Sequence, residues 1–209
     1  MELRLATEAD LGIIAECHIL SFPKTLSAKL GKAFVIQSLL PFVRDKNKFM
    51  LFILENGKCA GYVNANIRDG SLGSASSMLQ SAFGIGLKSV LKKPWLLFHP
   101  EMLSKIGLVL RNIKFKIVGK PHKKNVYKTP EGSLVVGLPG MCVHPLFRSK
   151  GYATKLMLAA ESKVKALGYN RLRCTVAIAN PAAWKGHLKI GFVIVEEVKG
   201  QYKMEKGIN

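Results

Sequence analysis

Apolar positions along the chain switch repeatedly between a spacing of two and a spacing of three to four, the alternation expected of strands interleaved with helices. Residues 2–6 predict a short strand. Thr7-Glu8-Ala9-Asp10 then has the form of a capping box that opens a helix with Leu11, Ile14, Ala15 and Ile19 on one side. After a break at Ser21-Phe22-Pro23, residues 25–43 predict an amphipathic helical segment with Leu26, Leu30, Phe34 and Leu39 turned inward. Residues 49–54 and 59–67 flank Glu55-Asn56-Gly57-Lys58. Asn-Gly suits the left-handed dihedrals of a tight hairpin turn, so these become the second and third strands. Residues 134–143 predict a strand interrupted by Gly137, Pro139 and Gly140, poor ladder residues that imply a bulge, expected near Met141, Cys142 and Val143. A helix follows over 151–167 with Ala153, Leu156, Met157, Ala160, Val164 and Leu167 on one stripe and Gly168 as its stop. A strand over 171–178, a short helix begun by Asn180 and Pro181, and strands over 192–198 and 201–205 complete the pattern.

Between the third and fourth strands lies an insertion at about 70–130. A Ser/Gly stretch leads into two helix-like pieces, 77–91 and 100–118, punctuated by Pro94, Pro100 and Pro121. It holds 11 Lys and Arg but a single acidic residue, Glu101, within a chain of formal net charge +19. Such an excess speaks to solubility and to attraction for anions, not to fold. Trp95, Leu96, Leu97 and Phe98, flanked by Lys92, Lys93 and His99, add the composition of a membrane-interface segment. An anionic membrane surface or a lipid-linked substrate is therefore among the expected partners. Nucleic acid is not, because Trp95, Phe98, Phe115 and Tyr127 do not interleave with the basic residues along one face.

At 209 residues the chain suits a single domain spanning 1–209. Cys17, Cys59, Cys142 and Cys174 show no Cys-x-x-Cys spacing, which disfavours a zinc site or a disulfide framework, so no metal is expected. The start at Met1-Glu2-Leu3-Arg4 lacks a basic, then apolar, leader. A cytoplasmic location is expected, peripheral at the membrane if the insertion docks there. Monomer and homodimer stay open.

The chemistry concentrates after the fourth strand. Val143-His144-Pro145 ends it, and Arg148-Ser149-Lys150-Gly151-Tyr152-Ala153-Thr154 opens the next helix in an Arg-x-x-Gly-x-Ala pattern. Small residues there let backbone N–H groups approach a diphosphate at the positive end of the helix dipole. Further on stand Asn180-Pro181-Ala182-Ala183-Trp184-Lys185-Gly186-His187-Leu188-Lys189-Ile190-Gly191-Phe192. Together the two runs resemble the GNAT N-acetyltransferase superfamily, whose motifs are Arg/Gln-x-x-Gly-x-Gly/Ala and Asn-x-x-Ala-x-x-x-Tyr-x-Lys-x-Gly-Phe. The resemblance covers 133–208 well and 1–67 more loosely.

It implies the α/β GNAT acyl-CoA N-acyltransferase fold: a mixed central sheet splayed between strands 4 and 5, here with the helical insertion before strand 4. Acetyl-CoA is implied as co-substrate, held by Met141, Cys142, Val143, Arg148, Ser149, Lys150, Gly151, Tyr152, Ala153, Thr154, Asn180 and Ala183. Met141 and Val143 supply the main-chain donors, whereas the apolar setting of Cys142 makes its thiol structural. His187 stands where many members carry the tyrosine that protonates the departing thiolate, a task a histidine can perform near neutral pH. The 134–143 strand contains no acidic residue, so the general base is unnamed; Glu131, His144 and Glu196 are its candidates. The implied activity is direct acetyl transfer from acetyl-CoA to the primary amine of a small molecule. Similarity to a subgroup associated with bacterial glycan assembly points to an amino sugar or glycan precursor. A protein or peptide acetyltransferase and a non-catalytic acyl-CoA-sensing module are the alternatives.

Overall fold

A computed structural model describes residues 1–67, 83–103 and 134–208. Seven strands form one mixed sheet: β1 (Glu2–Leu5), β2 (Lys48–Glu55), β3 (Lys58–Asn66), β4 (Val135–Val143), β5 (Arg171–Ala177), β6 (Val193–Val198) and β7 (Gln201–Gly207). Their order is β1-β2-β3-β4-β5-β7-β6, with β4 and β5 parallel and every other pair antiparallel. This is the α/β fold that the strand and helix pattern predicts. Asn56 and Gly57, at φ 50° and 71°, make the β2–β3 turn left-handed at both central positions.

Two apolar layers sandwich the sheet. On one face lies α6 (Tyr152–Ala166), whose Leu156, Met157, Ala160 and Val164 are buried against Ile53, Val63, Val136 and Leu172. Ala153 and Leu167, expected on the same stripe, are exposed at its two ends. On the other face, α1 (Leu11–Ser21) and α3 (Lys32–Leu39) cover Met50, Phe52, Tyr62 and Cys142. The entry to α1 is fixed by Asp10, whose carboxylate accepts from Thr7 N and Thr7 Oγ1 and pairs with both terminal nitrogens of Arg4. That guanidinium, with help from Thr7, holds the Asp10 carboxyl at a pKa of about 2.

The 25–43 segment, expected as one helix, is three: α2 (Leu26–Leu30), α3, and α4 (Pro41–Arg44). Gly31 at φ 100° breaks the first junction, and Pro41, which has no N–H to donate, starts the last piece. Leu26, Leu30 and Phe34 are buried as expected, in a small cluster closed by Leu96. In the insertion, α5 (Phe83–Lys92) covers part of the 77–91 helix expectation. The beginning of that helix and residues 104–118 of the second one lie outside the described residues, as do Lys105, Lys116 and Glu131. No helix among the described residues is long and apolar enough to cross a membrane.

Candidate active site

The centre of the molecule is shaped by a fault in β4. Its partner positions on β3 run Gly61↔Val143, Tyr62↔Cys142, Val63↔Met141 and Asn64↔Gly140, and then skip to Asn66↔Gly137. Two residues, Leu138 and Pro139, thus oppose one. The bulge lies there and not at 141–143, because Pro139 has no N–H for the ladder. The extra residue also reverses which face each side chain takes. Before it, Val136 and Leu138 pack on the α6 side; after it, Cys142 packs on the α1 side while Met141 and Val143 lean toward α6.

The same fault parts β4 from β5. Their parallel ladder runs from Val135↔Arg171 to Leu138↔Cys174 and ends there. His144 N donates to Ala60 O at 2.9 Å, and alternation along the strand then turns the N–H groups of Met141 and Val143 away from β3, into the parting. The Val143 carbonyl on that edge accepts from Ser21 Oγ at 3.2 Å and Arg148 Nε at 3.4 Å, tying the end of α1 to the end of β4. β3 itself approaches closely: a Cβ on Gly61 would come 2.7 Å from the Cys142 carbonyl oxygen.

A cleft of about 250 Å³ occupies the parting, lined among others by Phe22, Pro139, Met141, Met157, Thr175, Asn180, Ala183 and His187. Among the described residues, none that line it is acidic. A larger hollow of about 400 Å³ lies between α1 and the β2–β3 turn, beside Cys17, Lys58 and His144. It does not border the parted strands, so the smaller cleft is the candidate site.

α6, whose Met157 lines the cleft, opens on a left-handed turn. Ser149 and Gly151 take left-handed dihedrals, φ 59° and 75°, and nothing stands within 4 Å of where a Gly151 Cβ would be. Arg148, Ser149, Lys150, Ala153 and Thr154 are exposed around it. The Tyr152 ring is buried edge-on against Phe147, so only its backbone faces outward. Arg148 reaches across to the Ser21 carbonyl at 3.4 Å.

At the other side stands α7 (Pro181–Lys189). Asn180 caps it, its Oδ1 accepting from Ala183 N at 3.3 Å. His187 is 7% exposed; its Nδ1 bonds the Ala183 carbonyl at 2.8 Å and its ring meets Phe192 edge-on. A carbonyl only accepts, so Nδ1 carries the proton and Nε2 is the nitrogen left for chemistry.

Three expected residues sit elsewhere. Cys142 is buried on the α1 side with its sulfur 3.7 Å from Cys17 Sγ, and burial pushes its thiol well above the ordinary range. Its amide, two residues before that of His144, points toward β3, so it turns neither thiol nor N–H into the parting. His144 caps the turn at Pro145–Phe147 through Leu146 N, and Glu196 of β6 pairs with Lys203 of β7; neither His144 nor Glu196 lines the cleft. Conversely, Phe22, Met157 and Thr175 line it without having been singled out for it. No group of metal-ligating side chains occurs among the described residues.

The model of the acetyltransferase (GNAT) family matches residues 117–192. Over that stretch the sequence is similar to the GNAT acetyltransferases. Its fold is that of solved acetyltransferases along nearly its whole length. The PaiA N-acetyltransferase of Thermoplasma acidophilum, solved with coenzyme A, is 12% identical with a TM-score of 0.57, over 99% of this chain and 98% of that one. AAC(6′)-Ib, solved with paromomycin and acetyl-CoA, is 18% identical at 0.58, over 98% and 92%. The spermidine/spermine N-acetyltransferase SpeG of Vibrio cholerae is 13% identical at 0.52, over 99% and 93%. No curated protein matches the sequence.

The helix start at Gly151 combines an open approach with a backbone only glycine adopts without strain. Gly151→Val should therefore weaken acetyl-CoA binding at least about tenfold by calorimetry. Unchanged affinity in a folded variant would remove the diphosphate from this loop.

Proposed function

We propose that the protein transfers the acetyl group of acetyl-CoA directly to a primary amine on an amino sugar or related glycan precursor. The observation that carries this is the parting of β4 from β5, with the Met141 and Val143 N–H groups turned into it beside an exposed, glycine-opened helix start. Parted strands offer a pantetheine chain the edge that a continuous sheet would have used for its own ladder. In this arrangement the backbone around Arg148–Thr154 takes the diphosphate, and Asn180 and Ala183 border the arm. The Met141 and Val143 donors hold pantetheine and the thioester oxygen. A donor fixed where the tetrahedral oxyanion forms is worth ~2.7–4 kcal/mol in systems where one has been removed.

His187 serves as the acid for the departing thiolate. Because Nδ1–H is committed to the Ala183 carbonyl, Nε2 delivers a proton only while the ring is an imidazolium. Among the described residues no carboxylate lines the cleft, and in this reading the acceptor is bound as the neutral amine or loses its proton through water. The net charge of +19 disfavours polycationic acceptors.

A second observation concerns where the enzyme works. Leu91, Trp95 and Phe98 are exposed at 74%, 63% and 78%, beside exposed Lys88, Lys92 and Lys93, while Leu96 anchors their turn to the α2–α3 cluster. Bare apolar side chains ringed by lysine suit an anionic bilayer, such as one bearing a lipid-linked acceptor. Each lysine near such a surface contributes about 1 kcal/mol, screened by salt.

Thiol release from acetyl-CoA, measured against amino sugars, amino-sugar phosphates, spermidine and lysine peptides, tests the activity. Release should be fastest with an amino sugar or its phosphate and slowest with spermidine. His187→Phe should lower kcat with little change in coenzyme affinity, and His187→Tyr should keep much of the rate. Peptide-specific release would make the protein a peptide acetyltransferase, and acetyl-CoA binding without release to any amine would make it a sensor. For the surface, sedimentation with anionic but not neutral vesicles, reversed by salt and by joint Lys88, Lys92 and Lys93→Gln substitution, is expected. Equal partitioning to both, or to neither, would contradict membrane docking.

A further inference from the structure

Asn64 lies within β3 on the face covered by α1 and α3, between Tyr62 and Asn66 on that face. It is 3% exposed, and its Oδ1 is buried without a hydrogen-bond partner. A buried acceptor left unpaired is costly and rare in folded proteins, and it calls for a use. A second feature is independent of the first. Opposite Asn64 on β4 stands Gly140, which lines the cleft. A Cβ there would lie 3.5 Å from Asn64 Nδ2. The side chain that Gly140 lacks is thus the one that would stand against the carboxamide at the cleft wall. The bulge at Leu138 and Pro139 makes this juxtaposition, because the extra residue is what turns Gly140 toward the α1 face.

We propose that Asn64, reached across the bare face of Gly140, forms the subsite that receives the acceptor's amine. The proposal rests on the acetyl-transfer reading above and specifies the kind of amine. Turned over about its last side-chain bond, the carboxamide presents Oδ1 in place of Nδ2 at the Gly140 opening, where it accepts an N–H of the neutral amine and leaves the nitrogen lone pair free to attack. An uncharged, buried carboxamide favours that neutral form, since burial disfavours an ammonium. It offers a polyammonium chain no countercharge. Met141, the next residue of β4, turns its N–H into the strand parting where the thioester is held, which places nucleophile and electrophile on successive residues of one strand.

Asn64→Leu and Gly140→Ala test the subsite in the full chain, with glucosamine 6-phosphate as the probe amine. Leucine removes both polar ends at nearly constant size. Alanine at 140 meets Asn64 only at ordinary contact distance and fills the opening. Both variants should raise the KM for the probe at least about tenfold, leave acetyl-CoA affinity by calorimetry unchanged, and melt no lower than wild type. An unchanged probe KM in the two folded variants would overturn the subsite while leaving acetyl transfer intact. A lower melting temperature for Asn64→Leu with an unchanged KM for Gly140→Ala would likewise overturn it, making the carboxamide structural. Wild-type protein that binds acetyl-CoA yet releases no thiol with the probe would overturn both the subsite and the amino-sugar reading.

Discussion

Pro139 cannot donate to a β ladder, and much of the candidate site depends on that constraint. With no N–H at this position and glycines at 137 and 140, β4 cannot run evenly between β3 and β5. It bulges on one side and parts on the other. The bulge reverses the facing of the strand, sending Cys142 into the α1 core and Met141 toward α6. The parting leaves the main-chain donors of Met141 and Val143 without strand partners. Such a fault survives only because both faces are well filled: Leu156, Met157 and Val164 press on one side and Leu11, Ile14 and Val35 on the other.

The remaining features serve that gap. α6 follows the end of β4 through two left-handed residues, Ser149 and Gly151, and sends Met157 to the cleft. The Ser21 hydroxyl and the Arg148 guanidinium fasten the end of α1 to the Val143 carbonyl, and Phe22 follows as the wall on the α1 side. α7 is started by Asn180 and Pro181 and holds His187 by a bond from its own preceding turn. β7 supports β5 from the far side through Glu205, which pairs with Arg171 and with buried Arg173. Removing the Glu205 carboxylate would leave the Arg173 charge buried without it, a costly state.

Much of this was legible in the sequence because single residues enforce it. Asn56-Gly57 dictates a hairpin, Gly151 a left-handed turn at a helix start, and Asn180-Pro181 a cap. The bulge was legible as an event but not in position, since the weak ladder residues Gly137, Pro139 and Gly140 leave its place to the pairing with β3. The breaks at Gly31 and Pro41 were hidden by an apolar period that continues through them. Met157 read as core because its spacing is that of its buried neighbours, and only the parting of β5 from β4 makes it a wall. Asn64 carried a usable signal: a polar side chain on the Tyr62 face of a strand buried along nearly its whole length, two residues from a second asparagine. Its significance needed the glycine opposite, which is set by register.

Amide hydrogen exchange at Met141 and Val143, measured with and without saturating acetyl-CoA, bears most directly on the central claim that the strand parting holds the coenzyme. Exchange at both amides should slow by about tenfold or more on binding, along with that of residues 149–154, while exposed amides of β6 stay unchanged. Protection at 149–154 with no change at Met141 and Val143 would contradict it, placing the coenzyme on the helix start without the thioester in the gap.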